Sequence, residues 1–292
     1  MILNLRLIKI EVFHYLNLKE KIKDFLLDVR RPGRYIGGES GQIIKDFSKF
    51  RVGLCYPDLY DIGMGNLSIR LLYDLINRND DFWAERVFAP WSDFEEKLRE
   101  RKLPLYTLES FTPLYDLDVL GFTLPYEMVY TNVLNVLDLG NIPLYSKDRN
   151  QNDPIVIGGG PVMSNPEPLA DFFDLFFYGE AEQGIIEILE VIQEEKNNQK
   201  ERSEILNKLN SIKGVYIPTL IKLSYDNTNF YLKDNPLKKV EKVSISDFNQ
   251  GFVPTKFPIP WTKIVHDKGS LEIMRGCFHR CRFCQAGSYY KP

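Results

Sequence analysis

The stretch RVGLCYPDLYDIGMGNLSIRLLYDLI, Arg51 to Ile76, decides the fold. Its opening, Arg51–Tyr56, is a short apolar run closed by Pro57 and Asp58, which predicts a strand buried on both faces. Further on, Leu67, Leu71, Leu72, Leu75 and Ile76 fall on one face at the 3.6-residue period of a helix. A strand followed by a helix is half of a βαβ unit, and the pattern recurs downstream. Further strands are predicted at Ala84–Phe88, Asp118–Thr123, Pro154–Gly158 and Asp174–Tyr178. A helix is predicted after Trp91, where Ser92 and Glu95 form a capping-box signature ahead of Phe94 and Leu98. Another runs over Glu127–Leu139 through Val129, Val133, Val136 and Leu137, and a last one carries Ile185, Ile186, Leu189 and Ile192. Five short apolar strands with helices between them predict an α/β fold with a doubly wound, parallel, five-stranded sheet.

This unit spans 49–212 and is preceded by a lead, 1–48, with a helical start and the turn-rich RPGRYIGGESG. The acidic run Glu194–Glu204 reads as a solvated helix end or loop. From 213 to 268 the character is a small β-rich connector. Thr219–Tyr225 and Phe230–Lys233, separated by DNTN, predict a hairpin, and Pro254, Pro258 and Pro260 stiffen an extended strap. The last segment, 269–292, opens with a predicted strand at Ser270–Met274.

Composition narrows the function. Of 292 residues, 44% are hydrophobic and 26% charged, which excludes a disordered or collagen-like chain. A net charge of −3 with three histidines gives no broad basic field, so nucleic acid binding finds no support in charge. The opening MILNLRLIKIEVF is interrupted by Arg6, Lys9 and Glu11. No run approaches the ~18 apolar residues of a spanning helix, and no export signal follows. A cytoplasmic protein with no membrane partner is expected.

Four cysteines are present: Cys55 stands alone, whereas Cys277, Cys281 and Cys284 fall within eight residues. Such a cluster in a cytosolic chain points to a metal site rather than to disulfides. Three thiolates on one loop can hold three irons of a cubane and leave the fourth iron open. Zinc is the alternative, with His279 completing a Cys3His set, although one-residue gaps on either side are cramped for a tetrahedron. Arg275, Arg280 and Arg282 either screen the cluster's charge or are solvated loop residues.

The run Cys277-Phe-His-Arg-Cys281-Arg-Phe-Cys284 resembles the radical S-adenosylmethionine enzymes, whose loop after the first barrel strand is C-x3-C-x-aromatic-C. The resemblance implies that Cys277, Cys281 and Cys284 ligate a 4Fe-4S cluster. Its open iron would bind S-adenosylmethionine, and an electron donor such as flavodoxin or ferredoxin would drive cleavage to a deoxyadenosyl radical. Upstream, Tyr56-Pro-Asp58-Leu-Tyr60-Asp-Ile-Gly63 is similar to the D-x-H-x-x-G of cobalamin-binding domains, with Asp58 and Gly63 in register and Tyr60 in place of the histidine. A phenol with a pKa near 10 is a poor cobalt ligand at neutral pH, so cobalamin, if bound, would lack a histidine axial ligand. Thr123 stands where that family often has a serine. Gly158 and Gly159, with Gly160, match its glycine pair, and Gly179-Glu180-Ala-Glu182 matches its terminal G-E-x-E.

Taken singly, these pieces have plainer readings. The glycines make a sharp strand-to-helix turn, and the glutamates sit in a helical first turn. Together with RPGRYIGGE and LGFTLPYE, they resemble an uncharacterised family of radical S-adenosylmethionine proteins with an N-terminal cobalamin-binding-like domain. Two look-alikes stand apart. Gly37-Gly38-Glu39 copies a substrate-side element of the radical enzymes but precedes the cysteines, so a turn is expected. Gly63-Met64-Gly65 is expected to open a helix whose N–H groups could hold a phosphate. The chain ends at Pro292, eight residues after Cys284. The expectation is therefore an N-terminal portion carrying only the first strand and cluster loop of an incomplete barrel, inactive alone, with a separately encoded remainder as partner. The rival is a non-enzymatic nucleotide- or corrinoid-binding module with a structural zinc site.

Overall fold

The computed structural model describes residues 17–47, 49–221, 223–225, 230–232, 240–279 and 281–290. The MILNLRLIKIEVF opening, the DNTN loop, Lys233 and Arg280 lie outside the described residues. A helix α1 (17–23) leads into β1 (Phe50–Tyr56), a short α2 (Tyr60–Gly63), α3 (Leu67–Asn77) and β2 (Phe82–Phe88). Then follow α4 (Ser92–Arg101), β3 (Val119–Thr123), α5 (Tyr130–Leu139), β4 (Ile155–Gly159) and β5 (Leu175–Phe177). The unit closes with α6 (Ile185–Asn197), α7 (Arg202–Leu209) and β6 (Val215–Tyr216). Beyond it lie the strands β7 (Leu223–Tyr225) and β8 (Phe230–Leu232) and the short α8 (Ala286–Tyr289).

The main sheet has the order β2-β1-β3-β4-β5-β6. Its first four pairings are parallel, with Val52 opposite Ala84 on one side and Val119 on the other. Every residue of β1 and β2 is buried, as expected of strands with both faces covered. Because β1 is followed by β2 on one side and β3 on the other, the order reverses between β1 and β3. In open α/β sheets, ligands bind beyond the carboxyl ends of the strands at such a switch point.

Several expectations are corrected. The sheet has six strands, not five, and is mixed, because β6 runs antiparallel to β5 with Phe177 opposite Val215. Two residues are too few to show a period. The helix α7 was hidden in a polar stretch, and a true capping box starts it, with Glu201 and Glu204 each accepting from the other's backbone N–H. Conversely, Ser92 is the first residue of α4, not its cap; Trp91 occupies the cap and supplies no side-chain acceptor. Gly63-Met64-Gly65 does not open a helix. Gly63 ends α2, and Asn66 caps α3 by accepting from the N–H groups of Ser68 and Ile69. The hairpin forms, but its first strand starts at Leu223, since Pro218–Leu220 makes a single 3-10 turn. Ser270–Met274 is not a strand: no described segment runs beside it to supply a ladder, and Leu271 and Ile273 are exposed.

The edge strand β2 carries Glu85 and Arg86, both fully buried. Arg86 reaches Glu39 through two bonds of 2.9 and 3.0 Å and Glu109 through one of 2.6 Å, and its own backbone N–H donates to Glu109. Arg51 and Thr107 hold Glu85. Glu39 arrives on the Gly37-Gly38-Glu39 segment, which is not itself the expected turn; the turn begins at Glu39, whose carbonyl accepts from the Gln42 N–H. A side chain at Gly37 (φ +58°) would strike the Leu108 carbonyl at 2.0 Å, so position 37 tolerates only glycine. This lead in turn supports the proline strap. Ile259 N–H donates to the Ser40 carbonyl and the Trp261 indole to that of Gly37. Asp74 on α3 accepts from the backbone of Thr255 and Lys256.

Replacing Arg86 with Met would leave the buried acidic groups of Glu39 and Glu109 without their cation, and loss of one partner of such a pair costs about 3–5 kcal/mol; urea unfolding of Arg86→Met is expected to show that loss. A second outcome concerns pH. Burial raises the Glu109 carboxyl from 4.5 to about 7 despite the attraction of Arg86. The native state then binds this proton more tightly than the unfolded chain. Its stabilising contribution is full below pH 4.5 and is lost as pH climbs through about 7. The stability difference between wild type and Glu109→Gln should therefore fall across that window.

Candidate functional site

A cavity of about 390 Å³ opens between the sheet and helices α3 and α6, above β1, β3 and β4. Its walls are apolar: Val52, Leu54, Val119 and Ile157 from the strands, Leu71 and Leu72 from α3. Strand alternation explains the set, because Val119, Gly121 and Thr123 share one face of β3, and Ile157 and Gly159 share one face of β4. Gly121 and Gly159 create the space. A Cβ on Gly121 would meet nothing closer than the Gly53 carbonyl at 3.8 Å, and one on Gly159 nothing within 4 Å.

The polar groups gather at one end. Thr123, Gly158, Gly159 and Gly160 line the cavity at the carboxyl ends of β3 and β4, and Glu180 and Glu182 join them from the turn after β5. The roof comes from far along the chain, in Glu272, Arg275, Gly276 and Tyr290. Arg275 is ion-paired with Glu182, with Glu180 at 3.4 Å and with Glu272 at 2.8 Å. The cysteine loop starts two residues later.

The structure thus brings Thr123, Gly158, Gly159, Glu180, Glu182 and Arg275 around one cavity. It leaves Asp58, Tyr60 and Gly63 outside. Tyr60 is buried, donates to Glu39 at 3.0 Å, and receives the Trp261 N–H. Burial and the Glu39 carboxylate push its phenol well above its ordinary range, so it is a neutral structural donor. Asp58 holds its own turn through the Leu59 N–H and accepts from the Tyr126 hydroxyl at 2.8 Å. Gly63 packs against Phe88, where a Cβ would meet the ring at 2.4 Å. Cys55 is sealed in β1 and its thiol is pushed well up by burial.

Cys277 and Cys284 are partly buried, and Cys281, Arg282 and His279 are exposed. All three thiols are free, and the loop is shaped by backbone bonds from Cys281 to the His279 carbonyl and from Cys284 to that of Cys281. Among the described residues no group of three His, Cys, Asp or Glu side chains converges as a ready metal cage. The donor set nevertheless fits an iron–sulfur cluster in kind and number: three free thiols on one loop. Sequence reasoning missed that Leu71, Leu72 and Gly121 define the cavity. The signal for Gly121 was a glycine inside a strand, which often marks a close approach to something else.

Residues 68–218, from α3 to just past β6, match the family model for the N-terminal region of radical S-adenosylmethionine proteins. The chain belongs to that family. It is also 26% identical over 246 residues to an uncharacterised protein of Methanocaldococcus jannaschii, in an alignment covering 82% of this chain and 42% of that protein. It thus spans about two fifths of the length of the curated relative it matches. The family match covers the cavity's β3 and β4 side, Leu71, Leu72 and the Glu180–Glu182 turn, leaves out Val52 and Leu54 of β1, and stops before the cysteine loop. Among the described residues no helix is long and apolar enough to cross a membrane.

If Gly121 opens into free space, Gly121→Ala should raise stability by about 0.5–1 kcal/mol, the usual penalty of glycine inside a strand. Gly53→Ala on β1 should lower it, because that Cβ would meet Leu117 at 2.6 Å. Paired thermal unfolding curves would check both signs.

Proposed function

We propose that this chain is the N-terminal portion of a radical S-adenosylmethionine enzyme whose cluster is held by Cys277, Cys281 and Cys284. The observation that carries this reading is the succession of parts. A domain of the radical S-adenosylmethionine N-terminal family is followed by three free cysteines whose loop is anchored, through Arg275, beside its cavity. When bound, a 4Fe-4S cluster would supply one electron to S-adenosylmethionine and so generate the radical. The chain's own residues do the rest. The cysteines offer thiolates, Arg275 and its carboxylates fix the loop, and the apolar cavity excludes water from its occupant. A flavodoxin- or ferredoxin-type electron donor is the proposed partner.

The cavity supports a second element. Its apolar walls and the gap left at Gly121 and Gly159 suit part of a corrinoid, as in a cobalamin-binding-like domain, with Thr123, Gly158 and Gly159 at the polar end. Tyr60 does not fit as a cobalt ligand, since its hydroxyl is committed to Glu39 away from the cavity. A corrinoid here would be bound without a protein ligand from that position.

Anaerobic reconstitution with iron and sulfide, followed by iron analysis and electron paramagnetic resonance, tests the assignment. The chain should take up about four irons per molecule, as a cubane requires, and Cys281→Ala should lose the signal. Stoichiometric zinc in a colourless protein would replace this reading with that of a binding module with a structural zinc site. Retention of hydroxocobalamin through gel filtration, abolished by Gly121→Leu, is expected if the cavity takes a corrinoid.

A further inference from the structure

The cysteine loop is fastened to the α/β unit on both sides of its three cysteines. On the amino side stands Arg275, only 14% exposed, among three carboxylates. Glu272 belongs to the loop's own segment, and Glu180 and Glu182 belong to the turn after β5. That turn is rigid. Gly179 has φ +135°, and a Cβ there would meet the Val243 carbonyl at 2.2 Å. The Glu180 carboxylate is aimed by the Ile245 N–H at 2.6 Å. On the carboxyl side, Tyr289 is buried edge-on against Tyr178, its hydroxyl 3.3 Å from the Gly160 carbonyl. Gln285 donates to the Ser164 hydroxyl, and Lys242 sits over the Tyr289 ring. Between the two anchors the described aromatic side chains stand free of the domain: Phe278 and Phe283 are 77% and 93% exposed. The loop is therefore located by its ends.

We propose that Arg275 is a positioning residue that clamps the cysteine loop over the cavity mouth, so that the bound state of the thiols and the contents of the cavity share one boundary. The charge arithmetic makes the clamp directional. One guanidinium lies among three carboxylates, so without it Glu272 on the loop faces Glu180 and Glu182 on the domain with like charge, and attraction becomes repulsion. The Arg275 fork also contacts Glu272 with both Nε and Nη2, at 2.8 and 2.9 Å, a geometry lysine cannot reproduce. The clamp itself stands on geometry alone; its bearing on a cluster rests on the function proposed above.

Hydrogen–deuterium exchange on the full chain, metal-free and anaerobic, reads the clamp directly. In Arg275→Ala, peptides covering 270–290 should exchange at least about tenfold faster, equivalent to about 1.4 kcal/mol of lost protection, with β1 to β4 unchanged. Arg275→Lys should fall between that variant and wild type. After reconstitution, the midpoint potential and paramagnetic signal of Arg275→Ala should shift or broaden, with Arg275→Lys restoring much of the wild-type signature. Unchanged exchange over 270–290 would overturn the proposal. So would acceleration spread evenly over the sheet, which would make Arg275 a general stabiliser. Faster loop exchange in a chain that binds no iron would uphold the clamp and sink the cluster assignment instead.

Discussion

Arg86 is a permanent cation on a buried strand, and a charge out of reach of water persists only when ligated from all sides. Its ligands are Glu39 from the lead and Glu109 from the loop before β3. The sheet edge is therefore complete only when the lead has folded across it. From that edge the dependence runs outward. Glu39 places Gly37 and Ser40, these receive Trp261 and Ile259, and the strap they hold is the path by which the chain travels from the hairpin to the cysteines. A polar contact on the far side of β2 thus bears on where the thiols end up.

The cavity obeys a different rule. A parallel sheet normally buries its faces under helices that touch its side chains, yet over β3 and β4 two positions lack side chains altogether. Their neighbours Val52, Val119, Ile157, Leu71 and Leu72 close the walls without filling the gap. The polar groups are confined to the end where the strands terminate and where the strand order reverses nearby, so β3 and β4 each contribute an apolar wall residue, Val119 and Ile157, and a polar rim position, Thr123 and Gly158.

The parallel strands could be read directly because each is a short apolar run with a turn residue behind it; β1, β3 and β4 were located within a residue or two. What escaped the sequence was set by distance. The buried Glu85-Arg86 pair looks like a solvent-facing interruption of β2 until Glu39, Arg51 and Glu109 are in view, and the two-residue β6 has no pattern of its own. Ser270–Met274 alternates like a strand but has no described ladder partner, so its local preference goes unused. At the site, the glycines and Thr123 were visible as a motif. Tyr60 was visible in its motif as well, but its position there says nothing about a hydroxyl that turns away toward Glu39. The cysteines were the plainest feature of all, and their anchoring by Arg275 the least, since two of its three partners, Glu180 and Glu182, lie far upstream.

The long return of the strap has a consequence for biosynthesis. Trp261 contacts Gly37 and Tyr60 across sequence separations of 224 and 201 residues, whereas the six strands of the main sheet are all in hand by Tyr216. Domains fold as units while the chain emerges from the ribosome. The scaffold can thus be finished before the cysteines leave the exit tunnel. The three loop thiols would then be delivered onto a surface already built, instead of into a collapsing chain where they could be trapped in the wrong place.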